Sequence, residues 1–137
     1  MNKPVLRILD ANYNRAKEAM RVAEDIIRFV ARDSGLTAQW KRCRHDLTGI
    51  VQRLPLSYRQ LIHARESSTD IGRRSFIDDK RGKNRWHDLL IANAKRGQEA
   101  LRVLEELAKI FDPRQSSKFQ RLRFRLYELE KKSLRKL

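Results

Sequence analysis

Two groups of asparagine, arginine and glutamate carry the side chains of this chain whose types and spacing best suit chemistry. The letters A-N-x-x-R-x-x-E-A-x-R-V-x-E begin at Ala11 and are written again 81 positions later, from Ala92. An amide can donate to and accept from a heterocyclic ring edge, a guanidinium can hold a phosphate through two hydrogen bonds, and a carboxylate can orient that guanidinium. The repeated candidates for a ligand site are Asn12, Arg15, Glu18, Asn93, Arg96 and Glu99.

These groups lie on or near the apolar faces of predicted helices. At about 100° per residue, Ala16, Ala19 and Ile26 fall close to Asn12, so the apolar stripe is centred on an asparagine. We therefore expect Asn12 and Asn93 to be largely buried, which is costly unless they are hydrogen-bonded. Two interpretations remain open: a hydrogen-bond network that fixes the register of the helices, or a ligand pocket.

A second repeat supplies two further arginines. Residues 40–47 match residues 119–126, so that Arg44 recurs as Arg123. If the two long helices pack antiparallel, Arg44 and Arg123 come near the repeated clusters, and we predict that they contribute phosphate contacts there. Other repeated charges lie away from the apolar stripe, at a spacing that favours solvent-exposed salt-bridge ladders, with a further interface as the alternative. These residues are Arg21, Glu24, Arg102 and Glu105.

The stretch 66–83 has no helical periodicity and is longer than most structural connections, which favours a functional or disordered loop. Asp70 and Glu66 are its candidates for catalysis and for holding Mg²⁺, with Asp70 preferred as the metal ligand. Candidate phosphate contacts come from Arg73, Arg74 and, through close approach of the backbone, Gly72. A solvated loop that binds nothing is the alternative.

The elements that position these residues are predicted to be helices, and no strand pattern is convincing. The first hairpin combines a long helix from about Val5 to Arg32 with a second helix, capped by Thr37, that ends before Pro55. The predicted second hairpin begins with a helix that is capped by Asn84 and ends at Phe111, followed by a last helix opened by Ser116 or Ser117.

We expect a single all-α domain over residues 1–137, built as a helical bundle of two duplicated antiparallel hairpins. The hairpins, about 5–54 and 84–137, should be related by a pseudo-two-fold axis. A linker over 55–83 joins them and consists of a short helix and a long loop.

Charge and composition limit the class of partner. Lys and Arg number 32 against 17 Asp and Glu, and the formal net charge of +15 favours partners that carry phosphate, carboxylate or nucleic-acid charge. The lone Cys43 excludes an internal disulfide, the histidines have no neighbours at metal-ligand spacing, and the glycines form neither a P-loop nor a dinucleotide motif. No segment reads as a membrane span or a signal peptide, so we expect a soluble cytoplasmic protein with no membrane partner.

Five segments occur in the order that is typical of one bacterial family. They read LDANYNRAKEAMRVAED (9–25), RHDL (44–47), ARESSTDIG (64–72), ANAKRGQEALRVLEE (92–106) and LRFRLYELE (122–130). With them the chain resembles the helical domain found N-terminal to, or alongside, thiamine phosphate synthase, which is regarded as an alternative hydroxymethylpyrimidine phosphate kinase. The resemblance spans nearly the whole chain, with Glu66 in a place where the family pattern has an aspartate.

The resemblance implies a transferase of thiamine biosynthesis, a kinase that moves a phosphoryl group from ATP, with Mg²⁺, to hydroxymethylpyrimidine phosphate. Asn12 and Asn93 would then read the aminopyrimidine edge, and the arginines would hold phosphate. The first alternative is a non-catalytic partner of thiamine phosphate synthase that binds the same phosphorylated pyrimidine. The second is a basic helical nucleic-acid-binding protein, which is less favoured because we expect four of the aromatic residues to face the core rather than to stack on bases, namely Trp40, Phe119, Phe29 and Phe111. A homo-oligomer, a stand-alone protein and a piece of a longer fusion are all compatible with the sequence.

Overall fold

The computed structural model of the chain describes residues 1–73 and 85–137, and these ranges contain helices and no strand, which confirms the all-α prediction. The helices are α1 (Lys3–Ile26), α2 (Ser34–Gln52), α3 (Tyr58–Ala64), α4 (Arg85–Phe111) and α5 (Pro113–Leu134). A π-helical turn, Ile27–Ala31, continues α1, and a short 3-10 turn, Ser67–Thr69, follows α3. Within the described ranges, no helix is both long and apolar enough to cross a membrane.

The turn of the first hairpin is set by two adjacent residues. Arg32 adopts the left-handed conformation, with a φ of 56°, and ends the π-helical turn. Asp33 then caps α2, because its carboxylate accepts a hydrogen bond from the backbone N–H of Leu36 at 2.8 Å. The prediction of Thr37 as the cap is therefore wrong, since Asp33 starts the helix one turn earlier.

An aspartate also opens the last helix. The side chain of Asp112 accepts a hydrogen bond from the backbone N–H of Arg114 at 3.2 Å, and a proline occupies the first turn of α5. Hence α5 begins before Ser116 and Ser117, and the prediction of a serine cap is wrong. The predicted cap Asn84 lies outside the described residues.

The two hairpins pack side by side into a four-helix bundle, in which α1 contacts α2 and α4 while α5 contacts α4 and α2. Trp40, near the start of α2, donates to Ser133, near the end of α5, at 2.9 Å, and Arg125 pairs with Asp46 at 2.7 Å. These contacts show that α2 and α5 run antiparallel. Because each hairpin is itself antiparallel, α1 and α4 also run antiparallel to each other. The pseudo-two-fold relation between the hairpins stays a prediction.

A bidentate ion pair fixes the segment after α3 beside α1. Arg65 donates to both carboxylate oxygens of Asp10, at 2.7 Å each, and Asp10 is buried. The short helix itself starts at a capping box formed by Ser57 and Gln60. Together these contacts hold the segment that carries Asp70 against the N-terminal half of α1.

Candidate functional site: a groove between two long helices

A groove of about 650 Å³ lies between α1 and α4. Pockets for small molecules typically measure roughly 300–1,000 Å³. Both copies of the repeated motif line this groove, so the structure brings together all six residues of the two clusters. The lining consists of Asn12, Arg15, Glu18, Ala19 and Val22 from α1 and of Asn93, Arg96, Glu99, Ala100 and Val103 from α4.

Small residues let the helices approach closely beneath the groove. A Cβ atom placed on Gly97 would lie 3.6 Å from the Cβ of Ala19 and 3.0 Å from Cδ2 of Leu126. A larger residue at this position would therefore press α4 away from α1 and α5. The close approach keeps the polar side chains of the two helices opposite each other across one opening.

The two asparagines make the same contact in both copies of the motif. Asn12 and Asn93 are each 6% exposed, which confirms the predicted burial. Their side-chain N–H groups donate to the carbonyl oxygens of Ile8 and Leu89, at 2.9 Å in both cases. The amide oxygen of Asn12 accepts from Nη1 of Arg15 at 3.5 Å, while that of Asn93 accepts no hydrogen bond from the described residues. Each asparagine thus offers an acceptor to a molecule in the groove.

The charged residues of the groove are exposed and almost uncommitted. Across residues 1–73 and 85–137, no ion pair or side-chain hydrogen bond involves Glu18, Arg96 or Glu99, and Arg15 makes only its long contact with Asn12. A guanidinium without a carboxylate partner can hold a phosphate or carboxylate bidentately. The groove therefore combines two available arginines with a partly apolar floor.

The structure places Arg44 and Arg123 elsewhere, in ion pairs with two buried glutamates that do not line the groove. Nε of Arg44 lies 3.0 Å from Oε2 of Glu24. Nη2 of Arg123 lies 2.8 Å from Oε2 of Glu105, and the same arginine donates to Tyr127 at 3.0 Å. Their predicted role in phosphate binding stays a prediction, but these guanidiniums are already occupied by carboxylates.

The prediction of solvent-exposed ladders is wrong for Glu24 and Glu105, which are buried. A helical wheel places both glutamates away from the centre of the apolar stripe, so periodicity alone misses their burial. The available signal was the repeat itself, since Glu24 recurs as Glu105 and Arg44 recurs as Arg123. Other charged residues of these helices do form exposed ion pairs at helical spacing, such as Arg102 with Glu106 at 3.3 Å.

The two candidate carboxylates of the loop differ in what surrounds them. Glu66 pairs with Lys3 and, at 3.3 Å, with Arg7, and the hydrogen bond from Lys3 holds the pKa of Glu66 below its usual range. Asp70 accepts a hydrogen bond from the backbone N–H of Gly72 at 2.8 Å. It also lines a cavity of about 310 Å³ together with Asn12 and Arg15, which belong to the groove as well. Asp70 is thus the loop carboxylate that adjoins the groove.

The rest of the predicted loop site is only partly described. Gly72 makes the close turn onto Asp70, and Arg73 donates to the carbonyl oxygen of Ser68 at 3.4 Å. Arg74 and residues 75–83 lie outside the described residues. In the part of the chain that the structure describes, no three His, Cys, Asp or Glu side chains form a group that could hold a metal ion. The assignment of Mg²⁺ to Asp70 stays a prediction.

The amino-acid sequence of the chain is similar to those of known proteins. A family model described as "ThiD2 family" matches residues 7–132. The chain is 36% identical over 126 residues to a thiamine-phosphate synthase of Rhodopirellula baltica. The aligned residues make up 92% of this chain and 33% of that protein. It is 38% identical over 124 residues to the thiamine-phosphate synthase of Thermosynechococcus vestitus, covering 90% of this chain and 34% of that protein. The chain thus spans about a third of the length of the curated relatives it matches, and no solved structure matches it significantly.

Proposed function

The chain belongs to the ThiD2 family, and on that basis we propose that it acts in thiamine biosynthesis by transferring a phosphoryl group from ATP to hydroxymethylpyrimidine phosphate in the α1–α4 groove. The observation that carries the proposal is a pair of arginines, Arg15 and Arg96, that have no carboxylate partner among the described residues and lie beside two buried asparagines in one groove. A hydrogen-bond network that fixed the register of the helices would join these charged side chains to each other. Here they remain available to a ligand.

The pyrimidine ring would lie between the apolar walls of the groove. Val22 and Val103 line it on either side, and the ring could pack against them. The amide oxygen of Asn93 can accept a hydrogen bond from an exocyclic amino group, because its N–H already donates to the backbone of Leu89. An asparagine held by its backbone contact presents that oxygen at a fixed position, which favours selection of an aminopyrimidine.

Arg15 and Arg96 would bind the phosphate of the substrate. In the transfer, an oxygen of the substrate phosphate forms a new bond to the γ-phosphorus of ATP, and the bond from that phosphorus to the β,γ-bridging oxygen breaks, releasing ADP. The attacking phosphate is already ionised near neutral pH, since its second pKa is about 6, so the reaction needs no general base from the protein. What it needs is positive charge in a fixed geometry, and two guanidiniums supply that.

Asp70 is the residue that would help to hold Mg²⁺. Magnesium usually takes only one or two carboxylates and fills its remaining positions with phosphate oxygens and water, so a single carboxylate at the end of the groove fits this ion. When bound, the ion neutralises charge on the β- and γ-phosphates. The nucleotide would enter from the end of the groove at which Asp70 and Arg7 line the adjoining cavity.

A second candidate function is binding of the phosphopyrimidine without turnover, as a partner of thiamine-phosphate synthase. One observation favours it: Glu66, the other predicted catalytic carboxylate, is occupied by Lys3 and Arg7. Asp70 is then left as the one acidic residue of the predicted pair that adjoins the groove.

The test is ATP-dependent conversion of hydroxymethylpyrimidine phosphate to the diphosphate. The reaction is monitored through the release of ADP, and the diphosphate is identified by separating the products. We expect the Arg96→Ala variant to lose on the order of a hundredfold in kcat/KM, which corresponds to about 2.7 kcal/mol of transition-state binding. Asp70→Asn should lower kcat at saturating substrate, and excess Mg²⁺ should partly restore it.

The matched control is Arg121→Ala, which removes an equal charge from the groove between α2 and α5 on the other side of the bundle. This variant should turn over normally. If the wild type binds the monophosphate but forms no diphosphate with ATP and Mg²⁺, the binding-only function is correct. Equal activity of wild type and Arg96→Ala would place the site outside the α1–α4 groove.

A further inference from the structure

The outer face of the α1–α4 pair carries exposed apolar residues on either side of the two arginines of the groove. Along the first helix and its π-helical continuation, the series is Ile8, Arg15, Val22 and Phe29. Along α4 it is Leu89, Arg96, Val103 and Ile110. Residues seven apart lie on nearly the same side of a helix, so each series forms one stripe that runs past the groove.

These apolar side chains are unusually open to water for members of long, well-packed helices. Phe29 is 65% and Ile110 is 71% exposed, while Ile8 and Leu89 are each 43% exposed. Single exposed apolar residues are ordinary, but a contiguous apolar patch framed by charges is typical of an interaction surface.

The charges that line the groove on this face balance, in contrast to the sequence as a whole. Arg15 and Arg96 are accompanied there by Glu18 and Glu99, so the groove carries two positive and two negative groups in a protein with a formal net charge of +15. Two copies of such a basic chain repel each other unless they meet through a face without excess charge. A face that presents both signs can also pair arginine with glutamate across an isologous contact.

The groove between α2 and α5 is less suited to contact with a second copy of the chain, because most of its charged lining residues are basic. It measures about 660 Å³, and its lining includes Arg42, Arg121, Arg125 and Lys132 against the single acidic residue Glu128. A second copy placed on it would bring arginines against arginines. Self-association through α2 and α5 is therefore disfavoured, and of these two grooved faces the balanced one fits a second copy better.

The area of the balanced face is sufficient for a stable contact. A helix of 27 residues, as in α4, is about 40 Å long at 1.5 Å per residue. Two such helices lying side by side are about 20 Å wide, which gives about 800 Å² per copy. This is the usual contribution of one partner to a specific interface.

We infer that two copies of this chain pair face to face through α1 and α4. The pairing goes beyond the proposed function, because it stands on the residues of the face whether or not the groove binds a phosphopyrimidine. In the pair, the two open grooves meet and form one enclosed chamber. The arginines and glutamates of both copies line it, and Phe29, Ile110 and their neighbours make the apolar contacts between the two copies.

Sedimentation velocity on the purified chain tests the pairing without any ligand. We expect a Kd in the micromolar range, so at about 100 µM the wild type should sediment as a dimer. The double variant Phe29→Asp/Ile110→Asp should sediment as a monomer over the same range, with its Kd raised at least about tenfold. Both positions are exposed in the monomer, so circular dichroism should report an unchanged helical fold. The matched control, Phe124→Asp, alters an exposed aromatic residue on the α2–α5 side and should remain dimeric.

A charge exchange identifies the face independently. Arg15→Glu/Arg96→Glu makes the face acidic, Glu18→Arg/Glu99→Arg makes it basic, and each variant alone should be monomeric. A mixture of the two should recover a dimer that contains one copy of each. A wild type that is monomeric at about 100 µM, or a dimer that survives Phe29→Asp/Ile110→Asp and falls apart in Phe124→Asp, would overturn the inference.

Discussion

Replacing Glu105 with alanine should sharply destabilise the fold, because the change leaves Arg123 buried without its carboxylate. The two side chains are 6% and 10% exposed, and two nitrogens of the arginine lie 2.8 Å and 2.9 Å from the same carboxylate oxygen. A charge that has lost its partner in such surroundings must either remain poorly solvated or open the packing of α4 against α5.

The expected size of the effect follows from the burial. Removal of one partner from a buried ion pair typically costs about 3–5 kcal/mol, and we take about 3 kcal/mol because Arg123 keeps its hydrogen bond to Tyr127. Unfolding entropy is about 2.1 cal/mol/K per residue, which for this chain length converts that loss into a fall in Tm of about 10 °C. Differential scanning calorimetry measures it directly.

Two further variants make the test decisive. Asp46→Ala breaks the exposed pair with Arg125 and should cost less than about 1 kcal/mol. Glu105→Leu/Arg123→Leu removes both charges at once and should recover most of the lost stability. If Glu105→Ala melted like Asp46→Ala and at the same time altered phosphate binding, Arg123 would be free to reach a ligand, and its assignment as a structural residue would be refuted.

Three other predictions concern packing, reactivity and pH. Gly49→Ala should gain about 0.5–1 kcal/mol in chemical denaturation, since its Cβ meets open space in a helix, whereas Gly97→Ala should gain nothing because its Cβ would lie 3.0 Å from Leu126. Burial raises the pKa of the Cys43 thiol to about 11, so at pH 8 the folded protein should react with Ellman's reagent far more slowly than the unfolded chain. The backbone hydrogen bond from residue 36 holds the pKa of Asp33 below its ordinary 3.8, so its contribution to stability is complete above that value and is lost as the pH falls below it. When Tm is measured at decreasing pH, it should fall below pH 3.8. The fall should be smaller in Asp33→Ala than in the wild type, because the variant lacks this carboxylate.

The helical periodicity and the internal repeat of the sequence predict most of the helices and the central residues of the candidate site. An asparagine in the middle of an apolar stripe predicted the burial of Asn12 and Asn93, and the 81-residue repeat predicted that both motifs occupy equivalent helices. Antiparallel packing of those helices then brings Arg15 and Arg96 into one groove. These features depend on the spacing of residues along each helix and on the antiparallel order of neighbouring helices. The spacing can be read from the sequence, and short connections between helices predict the antiparallel order.

The partners of the buried charges could not be predicted in the same way. Which of two nearby arginines meets a given glutamate depends on the rotation of each helix by a few tens of degrees, and the wheel of a single helix does not contain that rotation. The wheel therefore predicts that Glu24 and Glu105 face solvent, although both are buried and pair with Arg44 and Arg123. The helix starts differ for a related reason: several residues near each turn could serve as caps, and only the path of the chain selects one.

We propose that the α1–α4 groove binds a phosphorylated pyrimidine through Arg15 and Arg96. Calorimetric titration of hydroxymethylpyrimidine phosphate into the wild type, into Arg15→Ala/Arg96→Ala and into Arg42→Ala/Arg121→Ala tests it most directly, since both double variants remove two positive charges. The account predicts that the first variant loses at least about a hundredfold in affinity while the second binds like the wild type. Equal affinity in all three proteins, or an equal loss in the two variants, would contradict it.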